Sequence, residues 1–349
     1  MRNLRRLALG ALAALVVAAG GLAAAAVWSW NRLHEPYRGY SGERHLVTVA
    51  GGSSARAIID RLAAEGVLRH PLLTRVYFRY HLKAPVLQAG EYEFSQPLDA
   101  PAVLDKLVRG DVVLYEVTLI EGMTLDETAR HLAASGFGSY EGFLAAAGDP
   151  EPIRDLDPLA GDLEGYLFPD TYAFARGTGE AEIVARLVAT FRRRLGERVE
   201  PEAAQPGQVQ DLRRLVTLAS IIEKEAQLDD ERPLIAAVYA NRLDRGIGLY
   251  ADPTVIYALK DLGRWDGNIR RADLDLDHPY NTYRYGGLPP GPIGSPGLAS
   301  LLAAAGPADV PYLYFVSRND GSHVFATTLA EHNRNVDVWQ RQYWRQRRR

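Results

Sequence analysis

Two glutamates separated by one lysine, Glu223-Lys224-Glu225, close a predicted helix over residues 211–227. At about 100° per residue, Glu225 extends the apolar stripe of Leu218 and Ile221, and Glu223 lies at its other edge beside Val216 and Ala219. Lys224 points outward with Arg213, Thr217 and Ser220. Desolvation disfavours the charged form of a carboxyl group, so a glutamate at such an edge can stay protonated near neutral pH and act as a general acid. The same residues also fit a helix end at which a glutamate reaches water or pairs with an arginine, with Arg242 as the partner for Glu223.

The surroundings add chemistry. Glu164 follows the turn-forming Gly161-Asp162 and precedes Gly165-Tyr166-Leu167-Phe168-Pro169-Asp170. It fits a cleft lining or a surface turn. Asn241-Arg242-Leu243 leads to Leu249-Tyr250-Ala251-Asp252-Pro253-Thr254-Val255-Ile256-Tyr257, where Asp252 also fits a turn former. Pro279-Tyr280-Asn281-Thr282-Tyr283 is followed by a segment rich in glycine and proline over residues 287–297. Rigid loops of this composition do not build a core. They fit a sugar-binding groove, where aromatic faces stack on rings and amides bond hydroxyls. Tyr280, Asn281 and Tyr283 are candidate saccharide contacts, or staples of their own loop. His323, beside a hairpin, fits a site or a strand surface.

Other chemistries lack their signatures. No histidine pair has metal-ligand spacing, the Gly287 to Gly291 segment lacks the Lys-Ser/Thr of a phosphate loop, and no G-x-S-x-G is present. With no cysteine the chain has neither disulfides nor thiolate metal sites, and a net charge of -3 gives no footprint for nucleic acid.

The elements that position these residues follow from the pattern. Arg232–Asp244 is a predicted helix closed by Gly246, Ser295-Pro296 is read as the start of a helix ending at Gly306, and residues 312–316 as a buried strand. That strand turns at Asn319-Asp320-Gly321 and returns from His323. Thr328 and Glu331 suggest a capping box for a last helix, which ends in the arginines 345 and 347–349. Upstream, Val47-Thr48-Val49 and Val117-Thr118-Leu119 each begin a strand, glycine turn, capped helix and closing glycine, a βα unit repeated at an offset of 70 residues. Between the copies lie a helix-like stretch over residues 71–81, a strand over 91–94 and a helix over 101–108. The aromatic residues Tyr77, Phe78, Tyr80, Tyr92 and Phe94 fit either sugar stacking or core.

Arg2, Arg5 and Arg6 precede an uncharged apolar run over residues 7–30, enough to span a ~30 Å hydrocarbon core. Trp28 and Trp30 suit the far interface and the arginines the cytoplasmic side, so an uncleaved anchor is expected rather than a signal peptide. The expected organisation is a cytoplasmic tail (1–6), a transmembrane helix (7–30), a linker (31–43), a duplicated βα module (44–150) and an α+β catalytic domain (151–349).

In this order along the chain, L-E-G-Y-L-F-P-D-T-Y, S-I-I-E-K-E, D-P-T-V-I-Y, Y-N-T-Y, G-L-P-P-G-P-I and H-V-F-A-T-T-L-A-E-H-N resemble the YceG-like family, the endolytic murein transglycosylases. The V-T-V…G-x-S…I-x-x-L pattern of the first βα unit resembles the LysM glycan-binding module. The family resemblance implies non-hydrolytic cleavage of the β-1,4 link from N-acetylmuramic acid to N-acetylglucosamine, leaving 1,6-anhydro ends, with no cofactor. It places the catalytic glutamate in I-I-E-K-E, mapped here to Glu225 with Glu223 as the alternative. Glu164, Asp170, Glu223, Asp252, Tyr257, Tyr280, Asn281, Tyr283 and His323 are the candidate substrate contacts. The implied setting is the cytoplasmic membrane, facing newly made glycan strands beside peptidoglycan synthases. Two alternatives stay open: a hydrolytic muramidase with Glu164 or Asp170 as second carboxylate, and a non-enzymatic wall-binding scaffold.

Overall fold

The computed structural model describes residues 2–198, 209–343 and 345. The architecture is mixed helix and sheet, with two compact units. The first comprises residues 1–115 and 174–177, the second residues 116–173 and 178–349.

The first unit opens with α1 (Arg2–Leu33), of which Leu9–Leu33 is long and apolar enough to cross a membrane. The helix runs past the expected end of the span, so residues 31–33 are helical rather than linker, and Leu33 is buried. Next come β1 (His45–Val49), α2 (Ala55–Ala64), α3 (Pro71–Val76), β2 (Gly90–Phe94) and α4 (Ala100–Arg109). β1 and β2 pair antiparallel with Val47 opposite Tyr92, giving the order β-α-α-β. Alternation along both strands sends Val47, Val49, Tyr92 and Phe94 into one core with Ile59, Leu62, Leu104 and Leu107. The aromatic cluster is therefore divided. Phe78, Tyr92 and Phe94 are core, whereas Tyr80 is exposed.

The second unit holds most of β3 (Leu114–Thr118), then α5 (Leu125–Ala134), α6 (Tyr140–Ala147), the first three residues of β4 (Thr171–Ala175) and α7 (Glu180–Arg198). After them come α8 (Val209–Glu225), α9 (Arg232–Asp244), α10 (Asp252–Asp261), α11 (Leu298–Ala305), β5 (Tyr314–Ser317), β6 (His323–Ala326) and α12 (Leu329–Val336). The repeated βα units do recur locally. Ser54 and Thr124 cap α2 and α5 through their side chains, and Gly66 and Gly136 close them with positive φ. The second copy, however, belongs to the compact unit that begins at Glu116, well before the expected boundary at 151.

α8 is the centre of this unit and packs against α9, α10 and α11. Residues 216–222 are all buried, including Thr217 and Ser220, so the outward face expected from periodicity does not exist there. Ser220 stays satisfied by donating to Thr217 O at 2.7 Å and accepting from Ile293 N at 3.0 Å. α9 keeps its expected bounds, but α11 is capped at Gly297 rather than Ser295. β5 is half-buried rather than buried. Thr328 caps α12 as expected, accepting from Glu331 N at 3.2 Å, but the Glu331 carboxylate accepts from Thr327 N rather than closing the box on Thr328 N. Arg347, Arg348 and Arg349 lie outside the described residues.

Candidate functional site

The last turn of α8 delivers its two glutamates into opposite circumstances. Glu223 is tied down: its Oε1 accepts from Arg232 Nη1 at 3.0 Å and its Oε2 from Gly297 N at 2.9 Å. Arg232, buried at the start of α9, also donates to Ser300 Oγ at 2.6 Å and to Asp229 at 3.0 Å. The ion pair foreseen with Arg242 is thus made by Arg232, the first residue of α9.

Glu225 is half-buried, and its carboxylate accepts no hydrogen bond among the described residues. Burial, with the negative charge of Asp252, pushes its carboxyl up to about 7, against a smaller opposing pull from Arg242. The C-terminal end of α8 acts in the same direction, since unpaired carbonyls disfavour an anion there. A carboxyl group with these properties is available to give and take a proton near neutral pH.

Three partners surround it. Asp252, the first residue of α10, accepts from Tyr283 Oη at 2.6 Å. Two buried threonines fix this meeting, Thr282 Oγ1 accepting from Ala251 N at 3.0 Å and lying 2.9 Å from Thr254 Oγ1. Burial and the Asp252 bond hold the Tyr283 hydroxyl well above the usual tyrosine range. Arg242, buried on α9, donates to the carbonyls of Leu313 and Leu249 at 2.6 Å each, and burial lowers its pKa. It contributes positive charge to the Glu225 environment and makes no ion pair among the described residues.

Glu164 occupies a second carboxyl site. It is buried, accepts from Leu125 N at 3.0 Å and from Tyr257 Oη at 3.3 Å, and burial drives its carboxyl up to about 8. Gly165 makes the approach possible: its φ is +86°, and a Cβ there would lie 2.5 Å from Pro292 Cβ. Glu164 and Tyr257 line a cavity of about 520 Å³ with Thr124, Glu127, Lys260 and Trp265. The Tyr257 ring packs, tilted, 4.7 Å from that of Tyr280, whose hydroxyl burial pushes up to about 12.

The remaining candidates are engaged structurally. Asn281 is fully buried: its amide donates to the carbonyls of Leu274 and Leu276 and its oxygen accepts from Tyr283 N, so both its donors and one acceptor position serve its own loop. Asp170 accepts from Thr171 N and pairs with Arg194 at 3.1 Å. His323 is buried against Glu231, bonded at 2.7 Å through Nδ1 and at 2.9 Å through its backbone N–H. The structure therefore brings together Glu225, Asp252 and Tyr283 in one group and Glu164, Tyr257 and Tyr280 in another. It adds Arg232, Lys260 and Trp265, residues that carry no motif signal and that only folding assembles.

Comparison with known proteins agrees with this arrangement of motifs. A curated relative, the endolytic murein transglycosylase of Bacillus subtilis, is 32% identical over 317 residues, 86% of each chain. The endolytic murein transglycosylase of Streptococcus pneumoniae serotype 2 is 29% identical over 83% of this chain and 57% of its own length. The 2.6 Å crystal structure of a yceG-like protein from Listeria monocytogenes superposes with a TM-score of 0.56 at 32% identity, covering 84% of this chain and 99% of that one. The family model of the YceG-like family matches residues 47–338, which include both carboxyl sites and the helix that ends in Glu225, and the chain belongs to that family.

Proposed function

We propose that this chain is a membrane-anchored endolytic murein transglycosylase in which Glu225 is the single acid and base. The neutral carboxyl protonates the glycosidic oxygen as the bond from N-acetylmuramic acid C1 to N-acetylglucosamine breaks. The resulting carboxylate then takes the proton of the sugar's own C6 hydroxyl, whose oxygen closes on C1. Glu225 regains its proton, no water is consumed, and the product carries a 1,6-anhydro end. One observation carries the assignment to Glu225 over Glu223: Glu225 is unbonded and raised to about 7, while Glu223 is fixed by Arg232 and Gly297. A muramidase would need a second carboxylate in its charged form. Glu164 is held neutral below about pH 8, and Asp170 is paired with Arg194.

The first helix is the anchor in this reading, and residues 34–349 lie outside the cytoplasm, close to nascent strands and the synthases that make them. The β-α-α-β arrangement of the first unit supports a LysM-like glycan contact. The test is mass spectrometry of products from the full chain in detergent acting on uncrosslinked glycan strands. Anhydro-ended fragments are expected. Reducing ends, one water heavier, would make the protein a hydrolase.

A further inference from the structure

Tyr250 is half-exposed, at 50%, yet its backbone is left-handed, with φ 49°. That conformation is unfavourable for a residue with a Cβ and persists where the surroundings impose it, often at functional sites. The loop before it is shaped around the ring. A Cβ on Gly248 would lie 2.8 Å from Tyr250 Cζ, so only glycine leaves the ring its place. Beneath and beside it are the Tyr283 ring at 5.4 Å and the Arg242 guanidinium at 5.9 Å. Tyr283 is in turn fixed by its bond to Asp252. Asp252 and Arg242 are also the two charged groups that act on Glu225.

We infer that Tyr250, backed by Tyr283, is a stacking platform for a sugar ring of the glycan beside Glu225, an inference that rests on the glycan-cleaving reading above. The C–H groups on one face of a pyranose ring meet the negative face of an aromatic ring favourably, and a supported ring loses little freedom on binding. An exposed tyrosine held in a strained backbone has no comparable role in the core.

The experiment measures affinity for uncrosslinked glycan strands using the full chain in detergent on a Glu225→Gln background, where strands stay intact. Tyr250→Ala is expected to weaken binding about tenfold, and Tyr250→Phe to stay within about twofold. Tyr250→Gly suits the left-handed backbone, so it should lose the same affinity with an unchanged or raised melting temperature. A purely structural tyrosine would instead lower the melting temperature. Tyr250→Ala or Tyr250→Gly binding within about twofold of the parent overturns the platform. The product assay on the otherwise native chain separates the two readings. Anhydro products with unchanged Tyr250→Ala affinity remove the platform alone. Weakened Tyr250→Ala binding without cleavage by the native chain keeps the platform and removes the transglycosylase.

Discussion

Arg232 lies 3.0 Å from Glu223 at the start of α9, and this pair ties down one of two neighbouring glutamates. Both partners are buried, with 8% and 6% of their side chains exposed. A buried pair breaks badly when one member is removed, because the other is left charged and unpaired. Arg232→Met should therefore destabilise the protein by about 3–5 kcal/mol in urea unfolding. Its surviving folded fraction should keep the pH profile of cleavage. A changed profile with intact stability would assign the reacting proton to Glu223.

The raised carboxyl of Glu225 makes stability depend on pH. Its folded value is about 7 against an ordinary 4.5, so between those values the folded state holds the proton more tightly than the unfolded state. Stability falls as pH rises through that window, by at most about 3 kcal/mol from this group, and is level above it. Glu225→Gln should remove this part of the pH dependence and make the protein more stable at pH 8. Cleavage by the parent should fall about tenfold per pH unit above 7, as the acid loses its proton. A rate that is flat to about pH 9 would contradict the assignment.

Asn281 is a loop staple, and its removal should read as one. Asn281→Ala leaves the carbonyls of Leu274 and Leu276 without their donor inside the fold. Unfolding should show a loss of about 1–3 kcal/mol. Because Tyr283 N also loses its acceptor, KM for glycan strands should rise as well. An unchanged unfolding curve with a raised KM would return Asn281 to the list of direct sugar contacts.

Gly165 and Gly177 separate backbone strain from crowding. Both have φ near the same positive value, +86° and +85°, but only Gly165 faces Pro292, and Gly177 has open space. Gly177→Ala should lose about 1 kcal/mol from strain alone. Gly165→Ala should lose more and disturb Glu164, which lowers activity together with stability. Equal losses at the two sites would show that the Pro292 contact yields easily.

Much of this site was legible in the residues themselves. The spacing of Glu223 and Glu225, the limits of α9 and the capped starts of α2 and α5 all follow from local pattern. What local pattern lacks is the identity of partners across the fold. Arg232 and Arg242 stand on the same helix, and only the packing of α8 against α9 decides that Arg232 takes Glu223. Ser220 looks solvent-facing by periodicity, but α8 is wrapped on all sides and Ile293 N supplies its partner. Ser295-Pro296 has the composition of a helix start, yet Ser295 N and O pair with Met123 and Gly122, which delays α11 to Leu298. Asn281 reads as a sugar-binding amide until the loop folds around it.

In the proposed mechanism Glu225 alone moves the proton. The direct test compares initial rates of anhydro-product formation by the parent chain, Glu225→Gln and Glu223→Gln, each shown to be folded by its melting curve. Glu225→Gln should lose about 10²–10⁴-fold in rate with glycan affinity retained, while Glu223→Gln keeps most of its activity per folded molecule. The reverse pattern, with Glu225→Gln active and Glu223→Gln silent though folded, would contradict the account.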